Sequence, residues 1–368
     1  FRTSQGPAAV ITADFNGDGL PDLASASGLV ELGNADGTFT ESQNLSITGV
    51  LISVTTGDWN GDGILDLAFG EAGYGQTSTL AVFMGSGLGT FTAMSSYTLS
   101  AIIQCLSAGD LNGDGNLDLV VADFQDTIQV LLGHGDGTFG GAAVYSVSGA
   151  AFNVALRDLN DDGKLDVAAS IDTGGTVAVL LGRGDGTLLP PVTYPVPFSP
   201  YGIAVGDLNH DGIPDLAAAG GTTEFNSVGV LIGNGDGTFK TVQLYTRDFG
   251  LGFDLHIADL NSDGNPDLLV LDAYDGPSGI SILYGKGDGT FQGPLGFGTD
   301  LYPFGAAIAD FNRDGILDVA VAIDGSGANN QFGFDMLYGD GSGRFQLAAS
   351  TQFPWKAIKD SIPCQVWR

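Results

Sequence analysis

Residues 110–118 read DLNGDGNLD, and the larger features of the chain recur in step with them. Oxygen-bearing side chains stand at the first, third, fifth and ninth positions (Asp110, Asn112, Asp114, Asp118) and glycine at the sixth (Gly115). If the chain curls, these side chains converge on one point, and the main-chain carbonyl of Asn116 at the seventh position joins them. A calcium ion takes six to eight hard oxygens at about 2.3–2.6 Å. Gly115 permits the curl, because glycine accepts a positive φ without a Cβ clash. The stretch reads as a calcium loop.

Six more copies obey the same rule. The first two are 14–22 (DFNGDGLPD), offering Asp14, Asn16, Asp18, Leu20 and Asp22, and 58–66 (DWNGDGILD), offering Asp58, Asn60, Asp62, Ile64 and Asp66. In 158–166 (DLNDDGKLD) the donors are Asp158, Asn160, Asp162, Lys164 and Asp166, and in 207–215 (DLNHDGIPD) they are Asp207, Asn209, Asp211, Ile213 and Asp215. The last two are 259–267 (DLNSDGNPD), with Asp259, Asn261, Asp263, Asn265 and Asp267, and 310–318 (DFNRDGILD), with Asp310, Asn312, Asp314, Ile316 and Asp318. The seventh residue contributes its carbonyl in every case. One such nonapeptide could be a solvated Asx turn, but a turn requires no oxygen at the ninth position, and all seven copies keep it. Each loop crowds three carboxylates together, and like charges repel. A dication removes the conflict, so the expectation is Ca2+, up to seven ions, one per repeat.

At 368 residues the chain exceeds the ~250–300 residues of a usual single core, which points to several domains or to a modular repeat. The repeats decide for the latter. Hydrophobic residues make up 43%, enough for a core despite 59 glycines. The 43 acidic residues outweigh 12 basic ones, for a net of −31, and seven calcium ions would bring that only to −17. Such a field repels phosphate backbones and anionic lipid, so neither nucleic acid nor a membrane is expected as a partner. No apolar run approaches the ~20 residues of a spanning helix, so membrane insertion is not expected either. The chain opens on Phe1 without a leader-like segment and reads as a processed or excised chain. Calcium loops of this open kind work at about 10⁻⁴–10⁻³ M outside cells, which places the protein as secreted, extracellular or at the cell surface.

The first aspartates of the loops step by 44, 52, 48, 49, 52 and 51 residues, the spacing of repeated supersecondary units. Each unit holds a small-residue strand, the loop, two apolar strands and a strand entered by a glycine-rich phrase, with no helical periodicity. The fold expected is therefore all-β: a seven-bladed β-propeller of four-stranded antiparallel blades over 1–353, with 354–368 as a C-terminal tail or linker. Closure protects sheet edges, and glycine- and alanine-rich first strands suit a crowded centre.

The glycine-rich phrases begin at Gly33, Gly85, Gly133, Gly182, Gly233, Gly285 and Gly339, as in GHGDGTF at 133–139. They resemble phosphate-cradling loops only in composition, since no helix follows and no lysine recurs. Tight hairpins are the better reading. Phe39, Phe91, Phe139, Leu188, Phe239, Phe291 and Phe345 then wedge between blades, as do Phe15, Trp59 and Phe311 at the second loop position.

From hairpin aromatic to the next loop the spacing is nearly rigid at 19 or 20 residues, whereas from the ninth loop position to the next hairpin it varies from 11 to 21. Loops and hairpins should share one face, and the variable connections should open on the other. Those connections include 71–79 (EAGYGQTST), 220–227 (GGTTEFNS), 272–279 (DAYDGPSG) and 323–333 (IDGSGANNQFG), where Tyr74, Phe225, Tyr274 and Phe332 stand among polar residues as in a sugar- or protein-binding rim. Phe1, Arg2 and Thr3 align with the end of a fourth strand and should lie beside the last blade. Cys105 occupies the first-strand position held elsewhere by Ala9, Ser53, Asn153, Gly202, Asp254 and Gly305, near the axis. It bonds Cys364 if the tail folds back across the channel; otherwise the two thiols stay unpaired or Cys364 joins another chain.

The seven D-x-N-x-D-G-x-x-D loops, with the G-x-G-D-G-T-F phrase, resemble the FG-GAP or VCBS repeat family over about residues 1–353. That resemblance implies a secreted or surface-exposed seven-bladed propeller with calcium in its hairpins, similar to integrin α heads and fungal propeller lectins. Integrin heads carry the full metal loop in only some blades, so regular bacterial VCBS proteins are the closer likeness. The family specifies no ligand, and no lectin motif matches here. The expectation is a non-enzymatic adhesion or carbohydrate- or protein-binding module, with a glycan or extracellular protein as partner. Self-assembly into a surface layer or fibre is the alternative, and a secreted polysaccharide lyase or hydrolase a further one. The enzymatic reading has only His134, His210 and His256 to draw on, two of them in loop and hairpin.

Overall fold

A computed structural model describes residues 9–45, 47, 50–72, 77–222, 226–247, 251–273, 279–299, 302–324 and 331–354. They form seven four-stranded antiparallel sheets, each built from four strands consecutive in the chain. No helix occurs among the described residues. The first strands are Val10–Ala13, Val50–Gly57, Ile103–Gly109, Ala151–Arg157, Ser199–Gly206, Leu251–Ala258 and Tyr302–Ala309. Each touches the first strand of the next blade, and the last touches the first. The sheets thus radiate from a central channel as a seven-bladed propeller, as the repeats predict.

The core lies between blades rather than within one layer. Seven apolar clusters form, each shared by two neighbouring blades. This explains why second strands such as Asp118–Asp123 are apolar without alternation: both faces of the sheet are covered, and all six residues are buried. Among the described residues, packing and side-chain hydrogen bonds join blade seven to blade one. Blade seven supplies all four of its own strands, Tyr302–Ala309 through Phe345–Pro354, and its Ala307, Phe311, Ala320 and Phe334 pack on Val10, Leu23 and Leu29 of blade one. The expected placement of Phe1, Arg2 and Thr3 lies outside the described residues, as does the tail 355–368.

Small residues at the axis have a steric cause. A Cβ on Gly305 would meet Ala9 Cα at 2.9 Å, and one on Gly202 would meet the Asp254 backbone at 3.0 Å. First strands in blades two to seven also carry a register shift just before the axis position, as between Gly252 and Asp254. The bulged residue, such as Phe152, Tyr201 or Phe253, is thereby re-aimed.

One expectation needs correction. The hairpin aromatic opens the fourth strand in blades one, two and seven, but in blades three to six it makes only a single bridge to the hairpin glycine, as between Gly133 and Phe139. The fourth strand resumes later, at Ala143 in blade three. In blades four and six prolines interrupt the run, Pro190 and Pro191 in one and Pro294 in the other, and a proline has no amide to give the ladder.

Candidate metal centres

Each loop curls around its first aspartate. In blade three Asp110 Oδ1 accepts the amides of Gly113 (2.7 Å) and Asp114 (3.2 Å), and Oδ2 accepts that of Gly115 (2.9 Å). Asn112 Oδ1 takes the amide of Asp114, Asp114 Oδ1 takes that of Asn116, and Asn112 Nδ2 donates to Asp114 Oδ2 at 3.0 Å. The amide of the sixth residue points at the first aspartate in all seven copies. Gly115 holds φ at +87°, as the curl requires. The fourth position is left-handed too, occupied by glycine in three blades and by Asp161, His210, Ser262 and Arg313, at φ of 57–60°, in the others.

The ninth aspartate is set apart from the rest. Asp118 is fully buried, its Oδ2 accepting the amide of Leu111 and its Oδ1 the amide of Gly133, both at 2.8 Å. The same bond to the hairpin glycine recurs at Asp22, Asp66, Asp166, Asp215, Asp267 and Asp318. One carboxylate therefore ties the loop to the hairpin of its own blade, and the two repeated phrases share a face because of it. The hairpin glycine is obligatory, since a Cβ at Gly133 would stand 2.1 Å from the Leu117 carbonyl oxygen.

The loop also meets the next blade. The amide of Gly137 donates to Trp59 O at 3.0 Å, and Gly89, Gly186 and Gly289 make the equivalent bond to Phe15, Leu111 and Leu208. Trp59 and Phe139 pack edge to face at 6.0 Å, Phe15 and Phe91 at 5.5 Å, and Phe311 and Phe39 at 5.7 Å across the closure. The interblade role expected of these aromatics holds. Tyrosines that sequence reading passed over complete the joint: Tyr97 and Tyr145 accept the amides of Phe139 and Leu188, and Tyr338 donates to Gly37 O at 2.9 Å. The signal of Tyr97 and Tyr145 is a tyrosine six residues past Phe91 and Phe139, repeated at 194 after Leu188 and at 245 after Phe239, whereas Tyr338 directly precedes the hairpin glycine Gly339.

The donors suit calcium in kind: three carboxylates, an amide oxygen and a main-chain carbonyl per loop, all hard oxygens. Among the described residues no three His, Cys, Asp or Glu side chains are set as a closed metal cage. The loop oxygens rest on amides instead, and an oxygen that accepts one amide keeps a second lone pair. Charge favours a cation as well. Burial pushes the Asp118 carboxyl up, its two amides pull it down, and the charges of Asp110 and Asp114 raise it again, for a net rise. The same balance lifts Asp267 and Asp318 to about 6.

A model of the FG-GAP-like repeat matches six times, over residues 14–69, 72–121, 110–169, 158–218, 211–270 and 259–321. The chain belongs to the FG-GAP-like repeat family. No curated protein matches it in sequence. Among solved structures, a protein from Lactobacillus plantarum is 14% identical, with a TM-score of 0.65 over 88% of this chain and 92% of that one. The crystal structure of BBS1N in complex with ARL6DN, soaked with lead, is 11% identical, with a TM-score of 0.60 over 86% of this chain and 89% of that one. At such identities the likeness shows the shared fold alone.

The remaining candidates are scattered over this FG-GAP propeller. His210 Nε2 lies 3.3 Å from Asn265 Oδ1, between the loops of blades five and six, whereas His134 sits in a hairpin and His256 in the channel. His256 bonds Asp254 at 2.9 Å. Burial pulls the imidazole down, but the charge and hydrogen bond of Asp254 outweigh it and the net shift is upward. Cys105 lies at the channel as expected, its thiol donating to Asn153 Oδ1 at 3.3 Å, and burial pushes it up to about 11. Cys364 is outside the described residues, as are Tyr74, Phe225, Tyr274 and the side chain of Phe332.

Proposed function

We propose that this FG-GAP propeller is an extracellular binding module whose loops take calcium, up to one ion per blade, and whose opposite face engages a glycan or a protein. The carrying observation is the position of the loops. Each stands where its ninth aspartate anchors the hairpin of its own blade and its second residue meets the hairpin of the next. A cation there, held by the first, third, fifth, seventh and ninth residues, would neutralise crowded carboxylates at every joint and stiffen the ring. Calcium reaches the required concentration outside cells. Variable connections, where recognition residues concentrate, fall on the other face.

Calcium titration calorimetry on the chelated protein, paired with a glycan array and a screen of extracellular proteins, tests both halves. The expected result is calcium uptake by several sites and a ligand signal that chelation abolishes. Absence of calcium heat overturns the first half. An array and a screen blank in calcium overturn the second.

A further inference from the structure

The fourth strand of each blade is its rim, hydrogen-bonded to the third strand on one side only. A free strand edge can accept a further strand, and proteins blunt such edges with short strands, prolines or charges. Six of the seven rims are blunted in this way. In blades three to six the rim strand has only four or five residues. In blade one it holds Glu41, and in blade seven it is bracketed by Arg344 and Pro354.

Blade two is the exception. Its rim, Phe91–Leu99, has nine residues and neither a proline nor a charge. The gap in charge is wider than the strand: between Glu71 and Asp110 no Asp, Glu, Lys, Arg or His occurs, in a chain whose net charge is −31. Even the hairpin tip has lost its acid. Leu88, 73% exposed, stands where Asp36, Asp136, Asp185, Asp236 and Asp288 take the hydroxyl of the threonine two residues on.

This strand is also held in shape to receive a partner. A bulge falls at Met94, and beyond it residues 95–99 pair in register with 78–82. Tyr97 accepts the Phe139 amide at 2.8 Å and packs edge to face on that ring, and Ser95 donates to Gly137 O at 3.3 Å. Those contacts fix the side that faces blade three, while Ser96 and Thr98 stay exposed. Among the described residues no strand pairs with the outer edge.

Two copies of a chain this acidic repel one another over most of their surface. They can approach where charge is missing, and an antiparallel strand pair is its own two-fold mate, so one edge serves both partners. We infer that the blade-two edge joins a second copy of this chain: residues 95–99 pair antiparallel with the same residues of the other copy, centred on Tyr97, and two four-stranded blades become one eight-stranded sheet. Ser96 of one copy then stands opposite Thr98 of the other. The dimer is independent of what the loops or the opposite face of the ring bind.

The test is sedimentation equilibrium of the calcium-loaded protein from about 1 to 500 μM, a range that spans the weak affinity of a small interface. A monomer–dimer equilibrium is expected. Ser96→Glu combined with Thr98→Glu should raise the dimer Kd at least about tenfold by setting like charges opposite each other, and so should Ser96→Lys combined with Thr98→Lys. An equimolar mixture of the two doubly substituted proteins should dimerise again, because opposite charges then meet across the pair. Melting temperatures check that both are folded. Amide exchange across 95–99 in the wild type needs no variant, and it should slow as concentration rises. A protein that stays monomeric throughout the range, a dimer that either charged pair leaves intact, a mixture that stays monomeric, or exchange at 95–99 that does not depend on concentration, as when another part of the chain covers the edge, overturns the assignment.

Discussion

Asp118 and Gly133, fifteen residues apart, are joined by a 2.8 Å hydrogen bond, and the corresponding pair is joined in each of the other six blades. The ninth carboxylate accepts two buried amides and so is a structural joint whatever else it holds.

Removing that joint should cost more than removing an exposed loop carboxylate. Asp118→Ala leaves the amides of Leu111 and Gly133 without an acceptor, at about 1–3 kcal/mol each. Asp114 is exposed, and in chelator Asp114→Ala should cost under about 1 kcal/mol. Urea unfolding of both variants in chelator makes the comparison; equal losses would remove the distinction between joint and ligand.

Glu31 carries a pH dependence. It is 2% exposed, its Oε2 has no hydrogen-bond partner, and burial, with a smaller push from Glu41, raises its carboxyl from 4.5 to about 7. In the unfolded chain the group ionises near its ordinary value, so the folded state binds the extra proton and loses stability as pH rises from about 4.5 to about 7. Above that window the penalty is constant, on the order of 3 kcal/mol by the shift. Glu31→Gln should therefore raise the melting temperature at pH 8 and change it little at pH 4.5. A variant that gains equally at both pH values contradicts the assignment.

How much of this was legible beforehand follows from distance along the chain. The loops and hairpins are contiguous phrases repeated seven times, so blade number, strand order and the shared face could all be read from spacing. The bond between Asp118 and Gly133 could not, because its partners are separated by a connection that varies from 11 to 21 residues. The tyrosine contacts were hidden for a different reason: blade one uses Gln43 at the joint, donating to Phe91 O and accepting its amide, and blade six uses Tyr284 on Gly343 O. The placing of Phe152, Tyr201 and Phe253 depends on bulges, which shift a side chain by one residue and leave no mark in composition.

Left-handed residues at the fourth loop position give a local test. Ser262 holds φ at +57°, a region that costs a non-glycine residue roughly 1–2 kcal/mol, whereas glycine enters it freely at an entropic cost of about 0.5–1 kcal/mol. Ser262→Gly should gain up to about 1 kcal/mol in chelator. Arg313→Gly should gain less or lose, because Arg313 Nη2 donates to Gly19 O at 2.7 Å across the closure between blades seven and one. Calorimetric melting of the pair checks the order; a larger gain at Arg313 would show that the closure bond carries no stability.

Calcium itself should act on stability in proportion to the number of loaded loops. A ligand bound only by the folded state adds RT ln(1 + [L]/Kd), about 2.7 kcal/mol per site at a hundredfold excess over Kd. Chelation should therefore lower the melting temperature well beyond the effect of any single side chain. Repeat architectures couple mainly between neighbours, so Asp114→Ala should remove one site's share and loosen blade three and its contacts without unfolding the ring. Melting curves taken across a calcium series for wild type and Asp114→Ala measure both quantities. A wild-type curve indifferent to chelator removes calcium from the loops. Loss of all soluble protein from this one change, at a residue whose hydrogen bonds are exposed and local, would show instead that the blades are not separable units.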